Sequence, residues 1–283
     1  MKLGIFVIDF DPELFIKIGV DSLVFPFNTS EEVLGRAERD FEVFLEFKPF
    51  EGGNIVNVFG EKANLKVLGC PSDEELRSKN LSKLEDTGYE VILDFVRFPS
   101  PANGDFFYSC FCKNCYDKAK ELGYDLNDIR VGVAKYLKTD NVSLLEEWFR
   151  FKMDVIWDYL EWVGLKRAFF FTPSLCFLVG QSYSFDMNVI HPMIYPEDVG
   201  PACIEFELSH MKGALKDRVL EYLDGNELIG KEFEKALKTK AEVEPIIMIS
   251  EDIEKKLGAL SKAKRVYIFA YSKAKRDLFM KLV

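Results

Sequence analysis

Eight short apolar runs, separated by segments of helical periodicity, constrain this chain more than any other feature. They fall at 3–9, 21–27, 43–48, 90–97, 167–173, 188–195, 245–249 and 265–271. Apolar runs that alternate with amphipathic, capped stretches mark βα units rather than a sandwich or a helical bundle. Eight is also the number of strands that closes a parallel barrel. The predicted fold is therefore α/β, a single (β/α)8 TIM barrel over residues 1–283, and no repeat, low-complexity tract or linker indicates a second domain. Ser72 with Glu75 and Ser143 with Glu146 have the spacing of capping boxes. Downstream, Leu145, Trp148, Phe149, Ile156, Tyr159, Leu160 and Val163 recur at helical spacing as core positions.

The spacing is uneven in places. Residues 49–71 form a long loop after the third strand and 98–142 a longer one after the fourth, while the barrel is irregular between strands five and six. Loops of that size in a compact domain usually carry function or small structure of their own. Both leave from the carboxyl end of the strands, where barrel enzymes keep their chemistry.

Composition narrows the partners. With 37 Lys and Arg against 47 Asp and Glu, the net charge is -10, and no segment gathers the basic residues that a phosphate backbone demands. Nucleic acid is thus an unexpected partner. The longest apolar run, 168–180, is interrupted by Thr172, Pro173 and Ser174 and falls short of the roughly 18 residues of a membrane span. With no leader-like region before the first strand, the expectation is a cytoplasmic protein that neither crosses nor binds a membrane. Gln181 is the only glutamine, while Lys and Glu are plentiful, a bias found in proteins of thermophiles.

The run "YEVILDFVRFPS" sets the chemical question, because Asp94 and Arg97 follow directly on Val91, Ile92 and Leu93. A carboxylate desolvated at a barrel mouth needs a partner or a task. Arg97 is a candidate partner, and Pro99 ends the strand. Other strand ends carry acids too: Asp9 and Asp11 at the first, Glu46 at the third, Tyr195 and Glu197 at the sixth, Glu251 and Asp252 after the seventh. Asp11 and Asp252 suit helix N-caps. Paired carboxylates amid aromatics are what glycosidic cleavage uses, one ionised and one protonated. The two histidines, His191 and His210, are too few for a histidine-rich metal hydrolase, and His191 reads as a core residue. No glycine-rich loop suggests a nucleotide cofactor.

"YEVILDFVRFPS", preceded by "LGCPSDEELR" and followed by "SCFCKNC" and "VGQSYSFDMNVIHPMIYPED", resembles the glycoside hydrolase-like TIM barrels, in which D-[YF]-[IV]-R-[FY]-P ends the fourth strand and P-M-x-Y-P the sixth. The resemblance covers about residues 60–200. It implies hydrolysis or transfer at a glycosidic bond of an oligosaccharide, with Asp94 as nucleophile or stabiliser, Arg97 beside it and Tyr195 lining the sugar pocket. It also places a Gly-Gln pair at Gly180–Gln181, whose amide could bind a sugar hydroxyl or brace the loop. "YPEDVG" lacks the small residue and histidine that often follow in relatives, so the acid/base partner carries no motif. Glu197 is the first choice for it, with Glu46, Asp9 and Glu251 behind. A non-catalytic carbohydrate-binding barrel and an interaction protein are the alternatives.

Cys110, Cys112 and Cys115 form a C-x-C-x-x-C knuckle, and Cys70 lies in the preceding long loop. Four thiolates can close a tetrahedral zinc site; a disulfide or free thiols are the alternatives. Glycoside hydrolases of family 42 have a similar arrangement, which supports a structural zinc with Cys70 as fourth ligand. Cys176 and Cys203 have no such spacing and suit small buried hydrophobes.

Overall fold

A computed structural model describes residues 1–85, 87–223 and 227–282. Its eight principal strands are β1 (Lys2–Val7), β2 (Ser22–Pro26), β3 (Glu42–Phe47), β4 (Glu90–Leu93), β5 (Arg167–Phe171), β6 (Val189–Met193), β7 (Ile246–Met248) and β8 (Arg265–Tyr271). All pair in parallel and in chain order, with β7 meeting β6 at Ile246–Met193 and β8 meeting β1, so the sheet closes into a barrel. Each strand lies within one of the eight predicted runs, or one residue outside it. A two-residue strand, Glu242–Val243, pairs with β6 just before β7. Pro245 separates the two because it has no N–H to donate, although its carbonyl still accepts from Tyr267 N at 2.8 Å.

Strand alternation divides the core as a pleated barrel requires. Ile5, Val7, Leu23, Phe25, Val43, Leu45, Ile247, Val266 and Ile268 belong to one buried cluster with the helical residues Leu14, Phe15 and Leu34. Phe6, Val24, Phe44, Ile92, Phe169 and Tyr267 belong to the other. Inside the barrel, Phe6 packs on Phe169 at 4.9 Å, and His191 meets Phe169 and Tyr267 at 5.4 and 5.2 Å. Gly4 makes room for this plug, since a Cβ there would come within 2.4 Å of the Tyr267 ring. Towards the amino end of the strands, buried Glu244 pairs with Arg167 at 3.1 Å and Arg265 at 3.5 Å. Its carbonyl faces His191 Nδ1 at 3.1 Å, while His191 Nε2 is buried without a partner. Burial first, and the charge of Arg167 next, push the imidazole well below its usual range.

Two helix starts differ from expectation. The helix Glu74–Leu81 is capped by Asp73, which accepts from Leu76 N at 3.1 Å, rather than by Ser72. Asn141, not Ser143, caps the turn that leads into the helix Glu146–Val163, accepting from Ser143 N at 3.2 Å. In both places an Asx residue, one position after Ser72 or two before Ser143, takes the free N–H groups instead. Residues 172–188, between β5 and β6, contain a single 3-10 turn at Cys176–Val179 and no α-helix.

The long loops after β3 and β4 are stitched together. The first forms a small hairpin, Ile55–Val56 with Lys62–Ala63, and the second carries helices Lys113–Glu121 and Leu126–Thr139. Val58 N donates to Tyr108 O at 2.8 Å and Phe111 N to Val56 O at 2.9 Å. Neighbouring strands in the barrel launch both loops side by side, which makes this pairing available.

Candidate active site at the barrel mouth

β4 ends four residues earlier than the apolar run suggests. Asp94 N still continues the ladder to Phe47 O at 2.8 Å, but Phe95 then takes a left-handed φ of 52° and Arg97 N turns back to Phe95 O. A left-handed aromatic residue is costly, and such strain gathers at functional sites. The turn fixes Asp94 at the mouth, with its Oδ1 accepting from Phe95 N at 2.7 Å.

The second carboxyl is supplied from the side. β3 and β4 run parallel with Glu46 opposite Ile92, and alternation puts Glu46 and Lys48 on the face that Ile92 and Asp94 share. Glu46 reaches Asp94 by a side-chain hydrogen bond and Lys48 by an ion pair of 3.0 Å. Asp94 is only 9% exposed. Burial, then the hydrogen bond to Glu46 and its charge, push the Asp94 carboxyl well above the usual carboxylate range, against weaker pulls from Lys48 and Phe95 N. The two carboxyls therefore form a coupled pair in which Asp94 is the member that holds a proton more tightly than an ordinary carboxyl.

These carboxyls lie in a cavity of about 290 Å³ whose walls are mainly apolar, including Phe6, Phe169, Met193 and Phe269. Tyr195 closes one side, and burial first, Asp94 next, raise its phenol well above the ordinary value. Arg97 also lines the cavity at 3% exposure, with its guanidinium 5.0 Å from the Phe95 ring centre and 4.8 Å from that of Phe171. Desolvation pulls its pKa down to about 10, against the charges of Glu207 and Asp94. The anticipated Asp94–Arg97 ion pair does not form; Arg97 Nη1 donates instead to Phe98 O at 3.0 Å.

Glu207 is a residue that sequence reasoning missed. On the helix Ile204–Ser209 it is fully buried, accepting from Ala102 N and Ala202 N at 2.9 Å each. It thus ties the loop after β4 to the loop after β6, and Ala202, on the cavity wall, is held at a left-handed φ of 70°. Its signal in the sequence was an acid on the same helix face as Ile204.

The other candidates are placed elsewhere. Glu197, expected as the second carboxylate, pairs with Lys256 outside the cavity lining. Asp9 accepts from Lys273 N at 2.9 Å, and Glu251, its side chain 77% exposed, pairs with Lys281. Gln181 is sealed from any sugar: its Oε1 accepts from Phe171 N at 2.8 Å, and its Nε2 donates to Phe169 O at 3.0 Å and Val96 O at 3.3 Å. The amide braces the loop after β5. Asp11 does cap its helix, accepting from Leu14 N at 3.2 Å, whereas Asp252 holds the cap position but accepts from Ser250 Oγ at 2.6 Å instead of a helix N–H.

No protein-family model matches the chain, and no curated protein matches it significantly.

The stitched loops carry the second constellation. Cys70, Cys110, Cys112 and Cys115 bring four Sγ atoms within 4.8 Å of one another, with Cys70 Sγ 3.3 Å from Cys115 Sγ and 3.4 Å from Cys112 Sγ. All six cysteines are unbridged. Four convergent thiols with no imidazole or carboxylate among them form a soft donor set that could hold a metal ion. Cys176 and Cys203 lie apart, each buried. Among the described residues no helix is long and apolar enough to cross a membrane.

Proposed function

We propose that the protein hydrolyses a glycosidic bond, or transfers across one, with Asp94 and Glu46 as a coupled acid and base. The observation that carries this reading is the contact between the two carboxyls in an aromatic-walled cavity. The contact is closer than the roughly 5 to 9.5 Å that separates the carboxyls of most retaining and inverting pairs. Here the two groups work as one unit. Asp94 gives its proton to the leaving oxygen as the bond from that oxygen to the anomeric carbon breaks. Water attacks the same carbon and passes a proton to Glu46, and the proton returns across the Asp94–Glu46 hydrogen bond to reset the site. Lys48 orients Glu46 through their ion pair. Because the two carboxyls are in contact on one side of the ring, water enters on the face that the leaving oxygen has quit, and the anomeric configuration is retained.

The cavity volume suits one sugar ring and a compact leaving group, so an oligosaccharide would present one end. The cysteine cluster fits a structural zinc that fixes the long loops beside the mouth and takes no part in the reaction.

Leaving-group dependence tests the assignment. Asp94→Asn is expected to lose about 10²–10⁴-fold in turnover of alkyl glycosides and far less on dinitrophenyl glycosides, whose leaving group needs no proton. Equal losses on both substrates would remove Asp94 from the acid role. A non-catalytic carbohydrate-binding barrel predicts binding with no turnover of either.

A further inference from the structure

The Arg97 guanidinium is unusual in what it lacks. It is 97% withdrawn from solvent, yet among the described residues no carboxylate lies within ion-pair distance, and its one side-chain hydrogen bond there goes from Nη1 to a neutral carbonyl, that of Phe98. Its Nε and Nη2 make no protein hydrogen bond, and neither is among the fully enclosed unpaired atoms. What access they retain opens on the cavity that Arg97 lines. The guanidinium carbon lies 5.0 and 4.8 Å from the Phe95 and Phe171 ring centres, contacts that restrict its movement, and its remaining N–H groups have the planar fork of every guanidinium.

We infer that Arg97 binds a carboxylate of the substrate, and that the site takes an acidic sugar, a glycosiduronate, in preference to a neutral one. The sugar part of this assignment rests on the glycosidic reading above; the anionic part rests on Arg97. Nearby charges permit it. Glu46 is already paired with Lys48, burial favours the neutral form of Asp94, and Glu207 spends both oxygens on backbone N–H groups behind the wall. The remaining positive group is Arg97, and a planar carboxylate matches its fork in two parallel hydrogen bonds. The apolar walls add force to the choice, because they leave few partners for a ring rich in free hydroxyls, and each buried hydroxyl without a partner opposes binding.

Binding, not turnover, tests the inference. The thermal midpoint of the intact protein is measured at pH 7 with glucuronate, galacturonate and mannuronate, with glucose, galactose and mannose, and with inorganic phosphate. At least one uronate is expected to raise the midpoint at concentrations about tenfold or more below those its neutral counterpart needs. Arg97→Gln should abolish the difference, with the unliganded circular dichroism of the wild type retained. Arg97→Lys, which keeps the charge and loses the fork, should bind the uronate on the order of tenfold more weakly; it is the readable variant if the glutamine form does not fold. Equal or absent responses to uronates and neutral sugars, equal stabilisation by phosphate, or a uronate effect unchanged in both variants would each overturn the inference. Uronate-specific binding without hydrolysis would leave it standing and sink the hydrolase reading. Hydrolysis of neutral glycosides with no uronate preference would do the reverse.

Discussion

Removing the Glu207 carboxylate should separate the two loops that frame the cavity. In Glu207→Ala the N–H groups of Ala102 and Ala202 lose their acceptors, each now at 2.9 Å. A buried N–H left unpaired costs about 1–3 kcal/mol, so the two together cost about 2–6 kcal/mol. Part of that is offset, because the native fold carries the desolvation cost of a fully buried carboxylate. The net expectation is a loss of about 2–4 kcal/mol. At about 2–4 °C per kcal/mol for a chain of this size, the melting midpoint falls by about 4–16 °C. Glu207→Gln is not a rescue, because its one carbonyl can serve one N–H while its amide N–H₂ confronts the other. Calorimetric melting of wild type and both variants measures this directly. The site should respond as well, since Ala202 would relax from its left-handed φ of 70° and shift the cavity wall, raising KM more than it lowers kcat. A Glu207→Ala midpoint within about 1 °C of wild type would refute the claim that this carboxylate clamps the loops.

Two further outcomes follow from the site and the cysteines. Activity that needs the acid form of Asp94 should fall as pH rises through its raised pKa. The sign for stability is the same, because a carboxyl that holds its proton more tightly when folded contributes stability below its unfolded value, about 3.9, and loses it as pH rises through the folded value. Asp94→Asn should therefore melt higher than wild type at alkaline pH and not at acid pH; a pH-independent difference would contradict the burial. Protein purified with zinc supplied should carry one metal per chain, and Cys70→Ser should lose it and melt about 5 °C or more lower. Metal-free wild type with an unchanged variant midpoint would exclude a metal role for the cluster.

The linear sequence determined the barrel and two of its candidate functional positions. Eight apolar runs of strand length fixed the number of strands, because an element with no polar face must be covered on both sides, and alternating helical segments supply the outer layer. The C-x-C-x-x-C spacing and the abrupt "LDFVR" ending are equally local signals, readable without a fold. Tertiary structure decided which acid answers Asp94. Glu46 precedes it by 48 residues and becomes its neighbour only through the β3–β4 register, whereas Glu197, beside a strand-end pattern, is diverted to Lys256. The same holds for Gln181, whose amide looked available until three backbone groups closed around it, and for Glu207, an ordinary helical acid until two loops offered it their N–H groups. A strand's type is set by the residues within it; the partner of a side chain at a strand's end is set by the chains that lie about 5 Å to either side, and their order in space is not their order in sequence.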